Sequence, residues 1–150
     1  MSVRAWFTIS ALVLVALAVA FVARFFAPVP APEVVARVGG IRLTGQKVAE
    51  CWPQRDGNLR CRNYKTNRIA PTRLRQTGTI HVAVAFPAKP EGGSLRLTAQ
   101  DGKAVVETTW KESLDYRAPP GAYTFRALAK YAEGAKVDYV FPVTVTSSGS

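Results

Sequence analysis

The sequence predicts an all-β fold, an antiparallel β-sandwich, preceded by one N-terminal transmembrane helix. Three observations lead to this prediction: an uncharged apolar run near the N-terminus, two cysteines that flank a tight turn, and a succession of short segments in which apolar and polar residues alternate. Alternation with a period of two indicates strands that bury one face, and turn signals spaced by about 8 to 12 residues are typical of a sandwich.

The apolar run covers residues 5–23, nineteen residues without a charge, between Arg4 and Arg24. At about 1.5 Å per residue, a helix of this length spans roughly the hydrocarbon core of a bilayer. We therefore predict that residues 1–27 form a transmembrane signal-anchor. A cleaved signal peptide is the alternative, because Ala18-Val19-Ala20 is a small-x-small cleavage site. The apolar run continues past this site, which favours the uncleaved anchor.

Two signals disagree about the orientation of the chain. Arg24, Arg37 and Arg42 after the run outnumber Arg4 before it, and this asymmetry would keep the large domain in the cytoplasm. A cysteine pair at a spacing that suits a disulfide instead favours an oxidising compartment. We give the cysteines more weight and predict a single-pass protein of the cell membrane with an extracytoplasmic C-terminal domain, secreted if cleavage occurs near Ala20.

The rest of the chain divides into a proline-rich linker at 28–33, a sandwich domain at 34–147 and a small polar tail at 148–150. The linker is expected to be extended and to lift the domain off the bilayer. Residues 65–78 contain few apolar side chains and are predicted to connect strands without forming one. Pro142 predicts an edge position for the last strand, because proline donates no backbone hydrogen bond. The predicted strands cover residues 34–38, 41–43, 46–52, 58–64, 79–86, 94–99, 103–110, 122–131 and 136–146.

The turn at Asp56-Gly57 sets the register of a hairpin that carries both cysteines. If the loop has three residues, with Gly57 in the left-handed conformation, Cys51 faces Cys61. This pair lies at a non-hydrogen-bonded position, where side chains approach most closely and a disulfide fits. A two-residue turn would place Cys51 opposite Arg62 instead. We therefore predict a structural Cys51–Cys61 disulfide. The same register pairs Trp52 with Arg60, Glu50 with Arg62 and Val48 with Tyr64.

No pattern in the sequence indicates a catalytic or metal site. The cysteine spacing, with a single histidine in the chain, fits neither a zinc site nor a C-x-x-C redox motif. The acidic residues are scattered, and there is no G-x-S-x-G, phosphate-binding glycine loop or H-E-x-x-H. The one histidine, His81, shares a strand face with Thr79 and Ala83, and its sequence neighbours suggest no partner. We predict no catalytic residue, no metal and no cofactor.

Charge is concentrated in one part of the chain. The formal net charge is +10, and residues 37–75 contain ten Lys or Arg but two acids, whereas eight basic and seven acidic residues nearly cancel from 76 onward. Such asymmetry concentrates positive potential on one part of a fold. This basic segment forms either a solvated basic face or a surface for an anionic partner. Nucleic acid is disfavoured, because Trp52 and Tyr64 are too few to form a stacking platform. The candidate binding residues are Trp52, Arg55, Arg60, Arg62, Lys65, Arg68, Arg73 and Arg75.

Two resemblances add to this interpretation. Pro119-Pro120-Gly121-Ala122-Tyr123 looks like the G-x-Y start of a late strand in immunoglobulin-like modules. Residues 41–145 resemble a group of uncharacterised small exported proteins and lipoproteins of Gram-positive bacteria. The chain departs from that group because an apolar anchor stands where a lipobox cysteine often lies. The resemblance implies export and an immunoglobulin-like sandwich, and it implies no active site. The matching motifs are Cys51-Trp52, Cys61, Phe86-Pro87, Gly121-Tyr123 and Tyr139-Val140-Phe141.

These observations favour a non-enzymatic, membrane-anchored extracytoplasmic interaction module. Its basic surface is expected to bind an anionic cell-wall polymer, lipid head groups or an acidic protein. A structural or accessory subunit of a membrane complex, held through the transmembrane helix, is the first alternative. An envelope enzyme of unknown type is the second, and His81 would be the residue to test.

Overall fold

A computed structural model of the chain describes residues 3–66, 69–75, 79–86, 88–109 and 113–147, and within the N-terminal helix it describes the side chains at positions 10 and 12–24. The helix, α1, covers Val3–Phe26. The strands, in chain order, are β1 Val35–Val38, β2 Ile41–Arg42, β3 Gln46–Pro53, β4 Leu59–Asn63, β5 Thr72–Arg75, β6 Thr79–Ala85, β7 Gly92–Ala99, β8 Ala104–Thr109, β9 Ser113–Arg117, β10 Gly121–Lys130 and β11 Lys136–Thr146. A short 3₁₀ turn, Ala132–Gly134, connects the last two strands.

The N-terminal helix has its described apolar side chains exposed rather than packed on the strands. Leu12 and Phe21, for example, are 70% and 72% exposed. The prediction of a helix in this part of the chain is confirmed. Its prediction as a transmembrane span is not supported, because over the described residues no helix is both long and apolar enough to cross a membrane.

The strands form two sheets whose inner faces pack together. The smaller sheet has the order β2-β1-β6-β9, and the larger has the order β4-β3-β11-β10-β7-β8 with β5 also paired to β11. Neighbouring strands run antiparallel except β5, which runs parallel to β11. This is the predicted β-sandwich, with one parallel pair that the sequence did not indicate.

The core lies between the two sheets and follows the predicted alternation. On β10, Tyr123 and Phe125 point inward, and Phe125 is completely buried. The rings of Phe125 and Phe141 lie 6.0 Å apart between centroids. Gly45 lies so close to Phe141 that a Cβ at this position would be 2.2 Å from the ring, so a glycine is required here. The inward residues of β11 are Val137, Tyr139, Phe141, Val143 and Val145.

Two strands and one edge assignment differ from the sequence predictions. Strand β5 lies inside the segment 65–78 that was predicted to contain none, and β9 was not predicted either. The prediction that Pro142 marks an edge strand is wrong, because β11 has β10 on one side and both β3 and β5 on the other. On that second side, the pairing with β3 ends at Val140 and the pairing with β5 begins at Val143. Pro142 therefore falls in the gap between two partners, where a missing N–H costs little.

Candidate anion-binding surface

The β3–β4 hairpin has the register that the turn chemistry predicts. Cys51 pairs with Cys61, and the two Cα atoms of this disulfide are 4.0 Å apart. The backbone N–H of Gln54 donates to the carbonyl of Asn58 at 2.9 Å, which closes a three-residue loop. Gly57 has φ +79°, the left-handed conformation that this loop requires. The predicted loop, register and disulfide are confirmed.

The loop is stabilised by the carboxylate of Asp56. This group accepts hydrogen bonds from the backbone N–H of Asn58 at 3.0 Å and from its side-chain amide at 3.1 Å. These two bonds hold the pKa of Asp56 below its ordinary value. Asp56 is therefore engaged with its own turn, although it is the acidic residue nearest to the hairpin arginines in sequence.

The two faces of the hairpin carry different residues. Because side chains alternate along a strand, Glu50 and Trp52 share one face with Arg60 and Arg62, and the disulfide lies on the other. Glu50 pairs across the strands with Val137, a core residue, so the arginine face is the inner side of the large sheet. The ring of Trp52 packs edge-on against Tyr131, with the centroids 5.2 Å apart. Trp52, a predicted binding residue, thus anchors the hairpin to the core.

The proline-rich linker packs along this inner face. The backbone N–H of Val29 donates to Gln54 Oε1 at 3.0 Å, and Gln54 Nε2 donates to the carbonyls of Val29 and Trp52 at 3.4 and 3.1 Å. The linker is therefore docked on the hairpin, whereas the sequence had suggested a spacer that lifts the domain away. Between linker and hairpin lies a cavity of about 160 Å³, lined by Pro28, Val29, Pro30, Lys47, Glu50, Gln54, Arg60, Arg62 and Tyr64.

A second and larger cavity lies at the tip of the hairpin. Its volume is about 360 Å³, and Ala27, the residue after the helix, forms part of its wall. Gln54 and Arg60 line both cavities. The tip cavity is lined by Ala27, Gln54, Arg55, Asp56, Asn58, Leu59 and Arg60.

A half-buried polar network underlies the smaller cavity. Glu50 accepts hydrogen bonds from Lys47 Nζ at 2.6 Å and from the Tyr64 hydroxyl at 2.5 Å. The same ammonium lies 5.9 Å from the ring centroids of Tyr64 and Tyr139. Burial opposes the charge of Glu50, but the hydrogen bonds from Lys47 and Tyr64 outweigh it and lower the pKa of the carboxyl. The hydrogen bond to Glu50 raises the pKa of Tyr64 in turn.

This network removes Lys47 from the charge that is available to a partner. Glu50 neutralises Lys47 at close range. Arg55 and Arg60, by contrast, take part in none of the salt bridges formed within the described residues. The sequence does not indicate this internal ion pair, because the pair depends on an irregularity in the β3–β11 register between Asp138 and Tyr139.

The predicted basic residues do not form one surface. Arg73 and Arg75 lie on β5 and pair with Thr144 and Thr146, whereas the β3 hairpin begins its pairing at Lys136. At about 3.3 Å per residue, Lys136 and Thr144 are roughly 26 Å apart along β11. We call Arg55, Arg60, Arg62 and Lys65 the hairpin group and Arg73 and Arg75 the strand group.

The two groups also occupy opposite faces of the large sheet. Leu74, between the strand-group arginines, is buried in the core, so Arg73 and Arg75 point outward by alternation. Arg60 and Arg62 lie on the inner side, and Lys65 is exposed just beyond β4. Arg68, another predicted binding residue, lies outside the described residues.

His81 has a partner that the sequence did not suggest. Its Nδ1 lies 2.5 Å from Oδ1 of Asp115, and the two residues are directly paired between β6 and β9. Both side chains are more than half exposed. The partner was missed because β9 was not predicted. In the described part of the chain, no group of three or more His, Cys, Asp or Glu side chains is placed to hold a metal ion.

No protein family, curated protein or solved structure matches the chain.

Proposed function

We propose that this protein is a non-enzymatic, membrane-anchored extracytoplasmic module that binds an anionic partner through the hairpin group. One observation carries the proposal: Arg55 and Arg60 line a cavity of about 360 Å³ at the hairpin tip and take part in none of the salt bridges within the described residues. Of the neighbouring acids, Glu50 is paired with Lys47, and Asp56 is hydrogen-bonded to Asn58 and offsets part of the charge of Arg60. The four cations of the hairpin group exceed the charge of Asp56, so a net positive charge remains available to a partner.

Membrane attachment is proposed for the N-terminal helix. Its support is the uncharged sequence of residues 5–23 and the exposure of the described apolar side chains on every side of the helix. A helix that is apolar all round needs an apolar environment such as lipid or another protein. The extracytoplasmic placement rests on the disulfide, because such bonds persist in oxidising compartments.

We also propose that the sandwich is immunoglobulin-like. The Tyr123 hydroxyl donates to the carbonyl of Pro119 at 2.8 Å, which is the arrangement of a tyrosine corner. With β10 taken as strand F, the order β11-β10-β7-β8 corresponds to G-F-C-C′, and β1-β6-β9 corresponds to A-B-E. The cysteine hairpin is then an insertion between A and B that widens the sheet beyond G. The likeness to small exported Gram-positive proteins belongs to the same proposal.

Salt-dependent binding tests the proposed function. The full chain, held in neutral-detergent micelles, is titrated with a soluble polyglycerol phosphate and with micelles that contain phosphatidylglycerol. Affinity for at least one of them should fall steeply as salt rises, because exposed charges are screened beyond about 10 Å at 0.1 M. Replacing the four hairpin-group residues by Gln should abolish binding while mass measurement shows the disulfide intact. Absent or salt-insensitive binding would contradict the proposal.

A second function, an accessory subunit of a membrane complex, is favoured by the exposed apolar helix. Purification of the full chain from its host in mild detergent should then recover a stoichiometric membrane protein. Removal of residues 1–27 should release that protein while the sandwich stays folded. A truncated chain that keeps the same partner would contradict this function.

A further inference from the structure

The hairpin tip lies next to the end of the helix. Helix α1 ends at Phe26, and Val29 is already hydrogen-bonded to Gln54 at the base of the loop. Three residues of extended chain reach at most about 10 Å. The tip cavity therefore stays within about that distance of the helix end, whichever way the helix points, as long as the linker remains docked.

The charged side chains at this junction are mostly cationic. Arg24 lies in the last turn of the helix, and Arg55 and Arg60 line the tip cavity together with Ala27. The cavity, at about 360 Å³, is within the range of small-molecule sites, about 300–1,000 Å³. Asp56 also lines it and keeps its negative charge, because the hydrogen bonds from Asn58 and the charge of Arg60 lower the pKa of its carboxyl. Arg55 and Arg60 outnumber this single acid, so the lining of the cavity stays net positive.

Two guanidinium groups beside one cavity suit a phosphate. Arginine presents a planar fork of donors that pairs with two phosphate oxygens at once, and it is less strongly hydrated than lysine. A phosphodiester carries one negative charge at all pH values near neutrality, so its charge attraction to the two arginines does not depend on pH in this range. Asn58 and Gln54 add polar surface around the arginines.

We infer that the tip cavity binds the phosphate of an anionic phospholipid head group in the leaflet next to the helix end. The inference rests on the proposed function and names its partner. The position of the tip cavity near the helix end decides between a lipid and a soluble polyanion as its ligand. A site held within about 10 Å of the end of an apolar helix lies at head-group level when that helix is in a bilayer. A site for a soluble polymer gains nothing from this placement, which makes the lipid the better occupant.

Hydrogen exchange of the loop amides in nanodiscs tests the inference. The full chain is placed in discs of phosphatidylcholine alone or with added phosphatidylglycerol. Exchange at Gly57 and Asn58 should be slower in the anionic discs, by about fivefold for each arginine engaged, since each contributes on the order of 1 kcal/mol near anionic lipid. Arg55→Gln with Arg60→Gln should remove this slowing.

The strand group offers a matched control. Arg73→Gln with Arg75→Gln removes the same charge from an exposed site on the other face of the sheet, and it should leave the slowing intact. Unchanged exchange of the β10–β11 amides shows that each variant is folded. Equal exchange of the loop amides in the two kinds of disc overturns the inference. So does a control variant that loses the slowing to the same extent as Arg55→Gln with Arg60→Gln.

The outcomes separate this inference from the proposed function. Soluble polyglycerol phosphate that slows the loop amides equally in phosphatidylcholine discs would show that a bilayer is not the source of the ligand, and the inference would fall while anionic binding stands. Salt-dependent binding that survives Arg55→Gln with Arg60→Gln would have the same meaning. Loss of all salt-dependent binding by the wild type contradicts the proposed function itself.

Discussion

The β10–β11 pair and the β3–β4 hairpin belong to the same sheet but are stabilised in different ways. The first has ten paired positions and buries alternate apolar residues such as Phe125 and Phe141. The second has five paired positions, and every residue of β4 is exposed. A disulfide, the Glu50 network and the contact of Trp52 with Tyr131 hold it in place. Covalent and polar contacts thus fix the hairpin and leave its arginine side chains accessible.

The largest effect is expected from a cavity in the central pair. Phe125→Ala removes a completely buried ring and should lower the free energy of unfolding by about 3–5 kcal/mol. Leu59→Ala in β4, where the side chain is 42% exposed, should change it by less than about 0.5 kcal/mol. Urea unfolding with the disulfide intact measures both. Similar values for the two variants would mean that β4 packs as tightly as the centre.

Removing the disulfide should have the next largest effect. Cys51 and Cys61 are ten residues apart, and a loop of this length corresponds to about 2–3 kcal/mol in the chain-entropy account. Replacing both by Ser should lower the unfolding free energy by that amount and speed hydrogen exchange in β4. Exchange in β10–β11 under native conditions should stay slow. Equal acceleration in both places would show that hairpin and centre open together.

The half-buried ion pair between β10 and β11 should contribute more to the free energy of unfolding than the exposed pair between β6 and β9. Asp138 is buried and accepts a hydrogen bond from Arg126 Nε at 2.8 Å. Arg126→Met leaves that carboxylate without its partner and should cost about 1–3 kcal/mol. His81→Ala breaks the exposed pair with Asp115 and should cost less than about 1 kcal/mol. Double-mutant cycles at the two pairs give the comparison, and equal coupling energies would contradict it.

The smallest effect concerns the pH dependence of stability at the base of the hairpin. The folded state lowers the pKa of Glu50 from its ordinary value of 4.5, despite the opposing effect of burial, because Lys47 and Tyr64 hydrogen-bond to the charged form. The contribution of Glu50 to the free energy of unfolding is therefore present above the unfolded-state pKa, and it is lost as pH falls through the folded-state pKa. Glu50→Gln should flatten the decline of stability in this acidic range, measured by urea unfolding at a series of pH values.

The matched control for this variant is Glu107→Gln on β8, which removes the same charge from an exposed position outside the hairpin. The difference between wild type and Glu50→Gln should shrink toward low pH. A difference that stays constant from neutral to acidic pH would show that Glu50 acts through packing and not through its charge.

The sequence was sufficient to predict strands and their register where several local constraints agreed. In the hairpin, the Asp56-Gly57 turn and the two cysteines require the same register, and the structure has it. In β11, five apolar residues at every second position define a strand without ambiguity. Strand β5 contains Leu74 as its one buried residue, and a single apolar residue carries no period. It could not be recognised from the sequence.

Other features depended on neighbours that the sequence does not show. Pro142 indicates an edge only if one strand occupies each side, and here two strands share one side of β11. The basic residues are close in sequence, but β5 takes Arg73 and Arg75 to the far end of β11. The docking of the linker depends on hydrogen bonds between Val29 and Gln54, which are 25 positions apart. No local pattern reports a contact of that range.

If the hairpin group binds an anionic partner as proposed, the bond between Val29 and Gln54 also determines how strongly it binds groups near the end of the helix. Two residues, Ala27 and Pro28, separate the end of the helix from the docked Val29. A tether this short keeps the arginines at an effective concentration in the millimolar range toward groups around the helix end. Contacts that would be too weak between separate molecules can then be occupied most of the time, and release of the linker would lower their occupancy without changing a single arginine.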